Sequence, residues 1–159
     1  MSGLNAKIKN CYFESCIKPV GKCYELNSTV FEHCDDVCTE PQITDSCIFY
    51  HCHNIFDKVA SGVIKNSYFA YTGTKDSVRI GSFAGQGRGV FDTLYSDAIL
   101  ESGGQRTGGI IGEANFARER TQTTLTNCWF DGEINIKRTG AAWAGGMVGI
   151  VDFGGLIVN

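Results

Sequence analysis

From Cys128 to Lys137 apolar and polar residues take turns. Cys128, Phe130, Gly132, Ile134 and Ile136 share one parity, and Trp129, Asp131, Glu133, Asn135 and Lys137 share the other. A period of two sends the first set to one face of an extended strand and the second set to the opposite face. The repeated segments show no apolar recurrence at helical spacing, so the pattern predicts strands rather than helices.

The strand signal recurs along the chain. A block that reads apolar, variable, polar, small, apolar, aromatic occupies 8–13, 26–31, 44–49, 64–69, 90–95 and 125–130. Ile157-Val158-Asn159 is the first half of a seventh copy. The first three copies are evenly spaced, the fourth follows slightly later, and the intervals then widen. A further run, Phe13-Glu14-Ser15-Cys16, returns as Phe31-Glu32-His33-Cys34 and Phe49-Tyr50-His51-Cys52 at the same even spacing. The longer late repeats add a second element: 81–85, 108–112 and 145–149, each opened and closed by glycine.

One strand cannot bury its apolar face alone, but stacked equivalent strands can. The repeat therefore predicts an all-β fold, a single parallel β-solenoid (β-helix) of about six to seven coils over 1–159. Short Cys-rich coils fill 1–62 and longer Gly-rich coils fill 63–159. Right-handed crossovers are favoured because parallel connections usually take that hand, although narrow triangular coils of this length can be left-handed. In this stack like residues form columns. Cys11, Thr29, Cys47, Ser67, Thr93 and Cys128 make a small inward column, and Phe13, Phe31, Phe49, Phe69, Tyr95 and Phe130 an aromatic one. Asn10, Ser28, Ser46, Asn66, Asp92, Asn127 and Asn159 make a polar column, expected at a bend entering the strand. Copies end at Asn159 midway through a unit, so the chain reads as a segment of a larger protein. The rest of that chain, or neighbouring subunits, is expected to cover the open C-terminal end.

Composition narrows the function classes. A net charge of −3 offers no basic footprint for nucleic acid. No stretch is apolar enough for a membrane span, and the first residues carry no signal peptide. Twenty glycines with only two prolines suit tight turns in a folded chain rather than disorder.

Residues 79–159 resemble the bacterial GLUG-motif repeat. The resemblance rests on Gly109-Ile110-Ile111-Gly112-Glu113-Ala114-Asn115 followed by Asn127-Cys128-Trp129-Phe130-Asp131-Gly132-Glu133-Ile134, with Gly146-Met147-Val148-Gly149 opening a further copy. Trp129 stands where the family favours Tyr, the copy at 81–99 is degenerate, and residues 1–60 lack the glycine block. The resemblance implies a non-catalytic structural or adhesive segment of a bacterial cell-surface or secreted protein. It brings no catalytic residue and no cofactor. Host or cell-surface proteins or carbohydrates are the partners it implies, in an extracellular or cell-surface location.

Several residues carry candidate chemistry. His33, Cys34, Cys38, His51, Cys52 and His53 hold metal-ligand types close in sequence. We read these cysteines as a structural ladder, with zinc or a disulfide as alternatives. The spacing stacks His33 on His51, and Cys16 on Cys34 on Cys52. Asp35, Asp36, Asp45, Asp57, Asp92 and Asp131 are candidate acid/base carboxylates, read here as surface acids because no acidic pair repeats on consecutive copies. Tyr12, Tyr68, Trp129 and Trp143 are expected to face outward. Tyr68, Trp129 and Trp143 make a candidate ligand patch for sugars or protein. The glycines of 81–89 lack the Gly-Lys-Ser/Thr of a phosphate loop. Arg118, Glu119 and Arg120 read as a solvated loop. The alternative function is a carbohydrate-binding or polysaccharide-degrading β-helix, including the phage tail-spike type.

Overall fold

A computed structural model of the chain describes residues 6–75, 77–114, 122–152 and 155–158. Among the described residues all regular structure is β, with no helix. The first three repeats each contribute two short strands: β1 (Lys7–Lys9) and β2 (Tyr12–Glu14), β3 (Glu25–Asn27) and β4 (Val30–Glu32), β5 (Ile43–Asp45) and β6 (Ile48–Tyr50). The fourth opens with the long β7 (Phe56–Ala70), then β8 (Thr72–Lys75) and β9 (Arg79–Ile80). The fifth has β10 (Ala84–Ser96), β11 (Ile99–Ser102) and β12 (Arg106–Gly108). β13 (Ile111–Ala114), β14 (Thr123–Thr126), β15 (Trp129–Phe130), β16 (Glu133–Ile136) and β17 (Trp143–Gly145) follow, and β18 (Val148–Val151) and β19 (Leu156–Val158) come last.

Every one of these strands pairs in parallel with its equivalent in a neighbouring repeat. The largest sheet runs β1-β3-β5-β7-β10-β13-β18, with the second strand of each repeat joined alongside. Two three-stranded sheets, β16-β11-β8 and β17-β12-β9, appear only where the repeats lengthen.

The core lies between these sheets and is built by stacking. Phe13, Phe31, Phe49 and Phe69 are in register. The first three rings stack nearly parallel, with centroids 5.0 and 5.4 Å apart. Phe31, Phe49 and Phe69 are fully buried, and each contributes about 1.5–3 kcal/mol by leaving water. Thiols line the neighbouring column. Cys34 donates to the Phe13 carbonyl at 3.5 Å and Cys52 to the Phe31 carbonyl at 3.3 Å, so Cys16, Cys34 and Cys52 stack as the spacing predicts.

The corners adopt left-handed backbone. Twelve non-glycine residues among those described have φ between 47° and 60°. Asn10, Ser28 and Ser46 recur at the interval of the short repeat, as do Ser15, His33 and His51, and Lys18, Asp36 and Asn54. Short polar side chains tolerate this conformation because they hydrogen-bond locally. Asn66 donates across to Asp45 at 2.9 Å, and Asn54 to Asp36 at 3.2 Å.

The fifth repeat corrects the sequence register by one position. Ile64 faces Phe91, not Val90, and Phe91 faces Leu125. Thr93, not Asp92, therefore takes the left-handed corner (φ 52°), and Leu94 rather than Thr93 joins the small inward column. Tyr95 is not in the aromatic core column. It pairs with Tyr68 and Trp129 and points outward, while Ser96 takes the inward place between Phe69 and Phe130. The ladder slips between Gly87 and Gly89, and volume suits the new register. Phe83, from the glycine-bounded element, enters the core 6.1 Å from Phe69, so a small residue is needed at the next inward position. Ser96 fills it and hydrogen-bonds Ser82 at 2.8 Å. The last copy also slips by one, with Val158 rather than Ile157 facing Leu125. Asn159 lies outside the described residues.

The glycine-bounded elements align as predicted, Ala84 on Ile111 on Val148. Their glycines are required by close approach. A Cβ on Gly81, Gly108 or Gly145 would collide with the carbonyl oxygen of Ala84, Ile111 or Val148, the same relative position in each copy.

Thr93 is the one β-branched residue among the left-handed corners described, where its Cβ is least tolerated. Asn10, Asn66 and Asn127 hold the equivalent corner elsewhere. The replacement Thr93→Asn is expected to stabilise the fold by about 1 kcal/mol. Urea denaturation checks this, and an unchanged or lower midpoint would contradict it.

Candidate functional site

The outward face of the second-strand column concentrates aromatic residues. In register it reads Tyr12, Val30, Ile48, Tyr68, Tyr95, Trp129. Parallel pairing sets successive members about 4.8 Å apart. The Tyr68 and Tyr95 rings stack at 5.5 Å and 10°, and Tyr50 meets the Tyr68 ring edge-on at 5.6 Å. Trp129 is 64% exposed and Tyr95 39%. Of the sequence-predicted patch, Tyr68 and Trp129 come together with Tyr95 between them. Trp143 does not join them. It lies on β17 opposite Arg106, in a different sheet.

Carboxylates flank the aromatic run. Two positions beyond Tyr95 and Trp129 stand the exposed Asp97 and Asp131, on the same outward parity. Tyr68 donates its hydroxyl to Asp97 at 2.8 Å. Burial and that carboxylate push the Tyr68 hydroxyl up to about 12, so it stays a neutral donor at physiological pH. Flat apolar faces beside hydrogen-bonding acceptors suit a ligand with both C–H faces and hydroxyl groups.

The Cys/His set is divided by the same parity. His33 and His51 occupy exposed left-handed corners, their rings stacked at 5.1 Å. Cys34 and Cys52 point into the core and donate to carbonyls. Burial pushes the Cys34 thiol up and the Cys47 thiol up to about 11, which keeps both protonated. Metal ligation needs thiolates on a shared face. Among the described residues no three His, Cys, Asp or Glu side chains are grouped to hold an ion. Histidine is enriched at left-handed corners, which accounts for His33 and His51 without a ligand role. None of the eight cysteines, all of them among the described residues, is joined in a disulfide.

Of the candidate acids, Asp35 contacts His53 Nδ1 at 3.1 Å and Asp36 sits 3.7 Å from Lys18 Nζ. Asp45 pairs with Lys65 at 3.2 Å, and Asp92 accepts from Asn127 at 3.4 Å. They serve the corners and the ladder between repeats. The Asp57 side chain and the 118–120 loop lie outside the described residues.

Sequence reasoning missed one ionic cluster. Parallel register places Arg79 on Arg106. Glu113, 3% exposed, lies between them and bonds both, Arg106 Nη1 at 2.9 Å and Arg79 through Nε. Gln86 adds a donor at 3.0 Å, and Arg106 reaches Asp152 at 3.9 Å. Burial works to raise the Glu113 carboxyl, but hydrogen bonds from Gln86 and Asp152 and the Arg79 charge hold it below the usual range. The hydrogen bond to Glu113 pushes the Asp152 carboxyl up. The cluster is closed to solvent at Glu113 and acts as an ionic clamp across three repeats. Glu113 is the lone acidic residue of 109–114, but nothing in the sequence links it to the two arginines.

Comparison with models of known families, with curated proteins and with solved structures finds nothing that matches this chain. What the site can do therefore rests on its own residues.

Glu113→Gln leaves two stacked guanidinium groups facing a neutral amide and should cost about 3 kcal/mol at pH 7. The folded Glu113 carboxyl lies below its unfolded value, so its contribution is present above the ordinary carboxylate range and lost as pH falls through the folded value. Urea midpoints of wild type and variant are expected to converge as pH falls below about 4. A gap independent of pH would refute the clamp.

Proposed function

We propose that the chain is a non-catalytic segment of a bacterial cell-surface or secreted protein, a parallel β-solenoid of six to seven coils that presents an adhesive face to carbohydrate. The outward run Tyr68, Tyr95, Trp129, with Asp97 and Asp131 alongside, carries the reading. Aromatic rings about one strand spacing apart stack on successive faces of an extended sugar chain. The carboxylates accept from its hydroxyl groups.

Support for the scaffold part comes from the columns. Each described repeat contributes an inward aromatic or small residue and an outward polar or aromatic one, as a stack of equivalent coils requires. Right-handed winding is the expected sense. The glycine-bounded elements over 81–149 supply the GLUG-like character and support a bacterial surface origin.

A glycan array, followed by titration of the best ligand, tests the adhesive face. Tyr95→Ala and Trp129→Ala should each weaken binding about tenfold or more, as central aromatic contacts do. Trp143→Ala, on another sheet, should leave it unchanged. Retention of no glycan by the wild-type chain, or equal loss in all three variants, would sink the carbohydrate reading.

A further inference from the structure

Six of the eight cysteines share one environment. Cys11, Cys16, Cys34, Cys47, Cys52 and Cys128 each donate a thiol proton to the backbone carbonyl two positions back, at 3.2–3.5 Å. Cys23 and Cys38 break this rule. Their sulfurs face each other at 3.6 Å within the core. They come from opposite ends of one repeat: Cys23 enters β3, and Cys38 bridges to Phe56 after the corner at Asp36.

The pair has a route to solvent. Cys38 lines a surface cleft of about 250 Å³ with Lys18, Gly21, Asp36, Thr39 and Asn54. A Cβ on Gly21 would meet open space, so the cleft wall there is unfilled. Both side chains are nearly covered, Cys23 at 4% and Cys38 at 2% exposure. A small uncharged reagent suits that entry better than a bulky one.

We propose that Cys23 and Cys38 are a redox-active thiol pair, converted by hydrogen peroxide to a disulfide that ties the two ends of one repeat together. Cys38 is the attacking thiol. It is the one of the two that lines the cleft, and the hydrogen bond between the two sulfurs at 3.6 Å holds its thiol below the usual range. The Cys38 thiolate attacks one peroxide oxygen and the O–O bond breaks. Cys38 becomes a sulfenic acid, and the departing hydroxide takes the Cys23 proton to leave as water. The Cys23 sulfur then attacks the Cys38 sulfur and the S–O bond breaks. The second hydroxide leaves as water with the proton that Cys38 first released. Two thiols and one peroxide give one disulfide and two waters. The sulfurs lose two electrons and the peroxide oxygens gain them. The sulfurs need to close from 3.6 Å to a bond of about 2.05 Å.

The full-length reduced chain is treated with hydrogen peroxide, then unfolded in an alkylating reagent. Digestion with trypsin and a glutamate-specific protease separates Cys23 from Cys38 for tandem mass mapping. The expected product has lost two of its eight thiols, carries a Cys23–Cys38 link and is restored by dithiothreitol. In Cys23→Ser the link is gone, and dimedone captures a sulfenic acid at Cys38. Eight retained thiols in the wild-type chain, or a link between other cysteines, overturns the proposal. A dimedone adduct placed elsewhere in Cys23→Ser overturns Cys38 as the attacking thiol. The wild-type mapping decides the pair even if the variant fails to fold.

Discussion

Parallel stacking sets every residue against its own counterpart one strand away, so each position must tolerate a neighbour of its own kind. Apolar and aromatic residues meet this easily, and the Phe13, Phe31, Phe49 ladder follows. Charges do not, and the sequence alternates them. Lys9, Asn27, Asp45, Lys65 and Asp92 share one column, and Lys65 pairs with Asp45. Lys7 and Lys9 both reach Glu25. Like charges also meet: Glu14 stacks on Glu32 at accessible positions, and Arg79 stacks on Arg106 with a buried carboxylate from a third strand between them.

Much of the fold was legible because the constraint repeats. The even spacing of Phe13, Phe31 and Phe49 gives their true register, and the polar column of Asn10, Ser28 and Ser46 marks real left-handed corners. Legibility failed where two elements compete for one space. Phe83 enters the core from outside the repeated block, and Ser96 rather than the expected Tyr95 takes the inward place, one position later. A pattern built from one element holds no information about a neighbour that fills its core from the side.

The candidate site shows the same division. Tyr68 and Trp129 were readable as outward aromatics, but Tyr95, which joins them into one run, was hidden by the same single-position slip. The Arg79–Arg106–Glu113–Asp152 cluster was not readable, since its members are scattered over nearly half the chain and no motif links them. The Cys23–Cys38 approach escaped notice for a related reason. Column reasoning compares residues between repeats, whereas these two thiols meet across the inside of one.

The change from short to long repeats bears on how the chain folds. Setting Tyr12 on Val30, or Val30 on Ile48, closes a short loop of chain, whereas setting Val90 on Thr124 closes one nearly twice as long. Loop-closure entropy rises by about 0.6 kcal/mol for each doubling of length, and contacts between near neighbours in sequence form faster. The short repeats are thus the cheaper nucleus, and they leave the ribosome ahead of the long ones. Each finished level presents a complete row of unpaired backbone groups to the next segment. Folding then runs as templated growth in the direction of translation, with the late, wide levels added to an edge that already fixes their register.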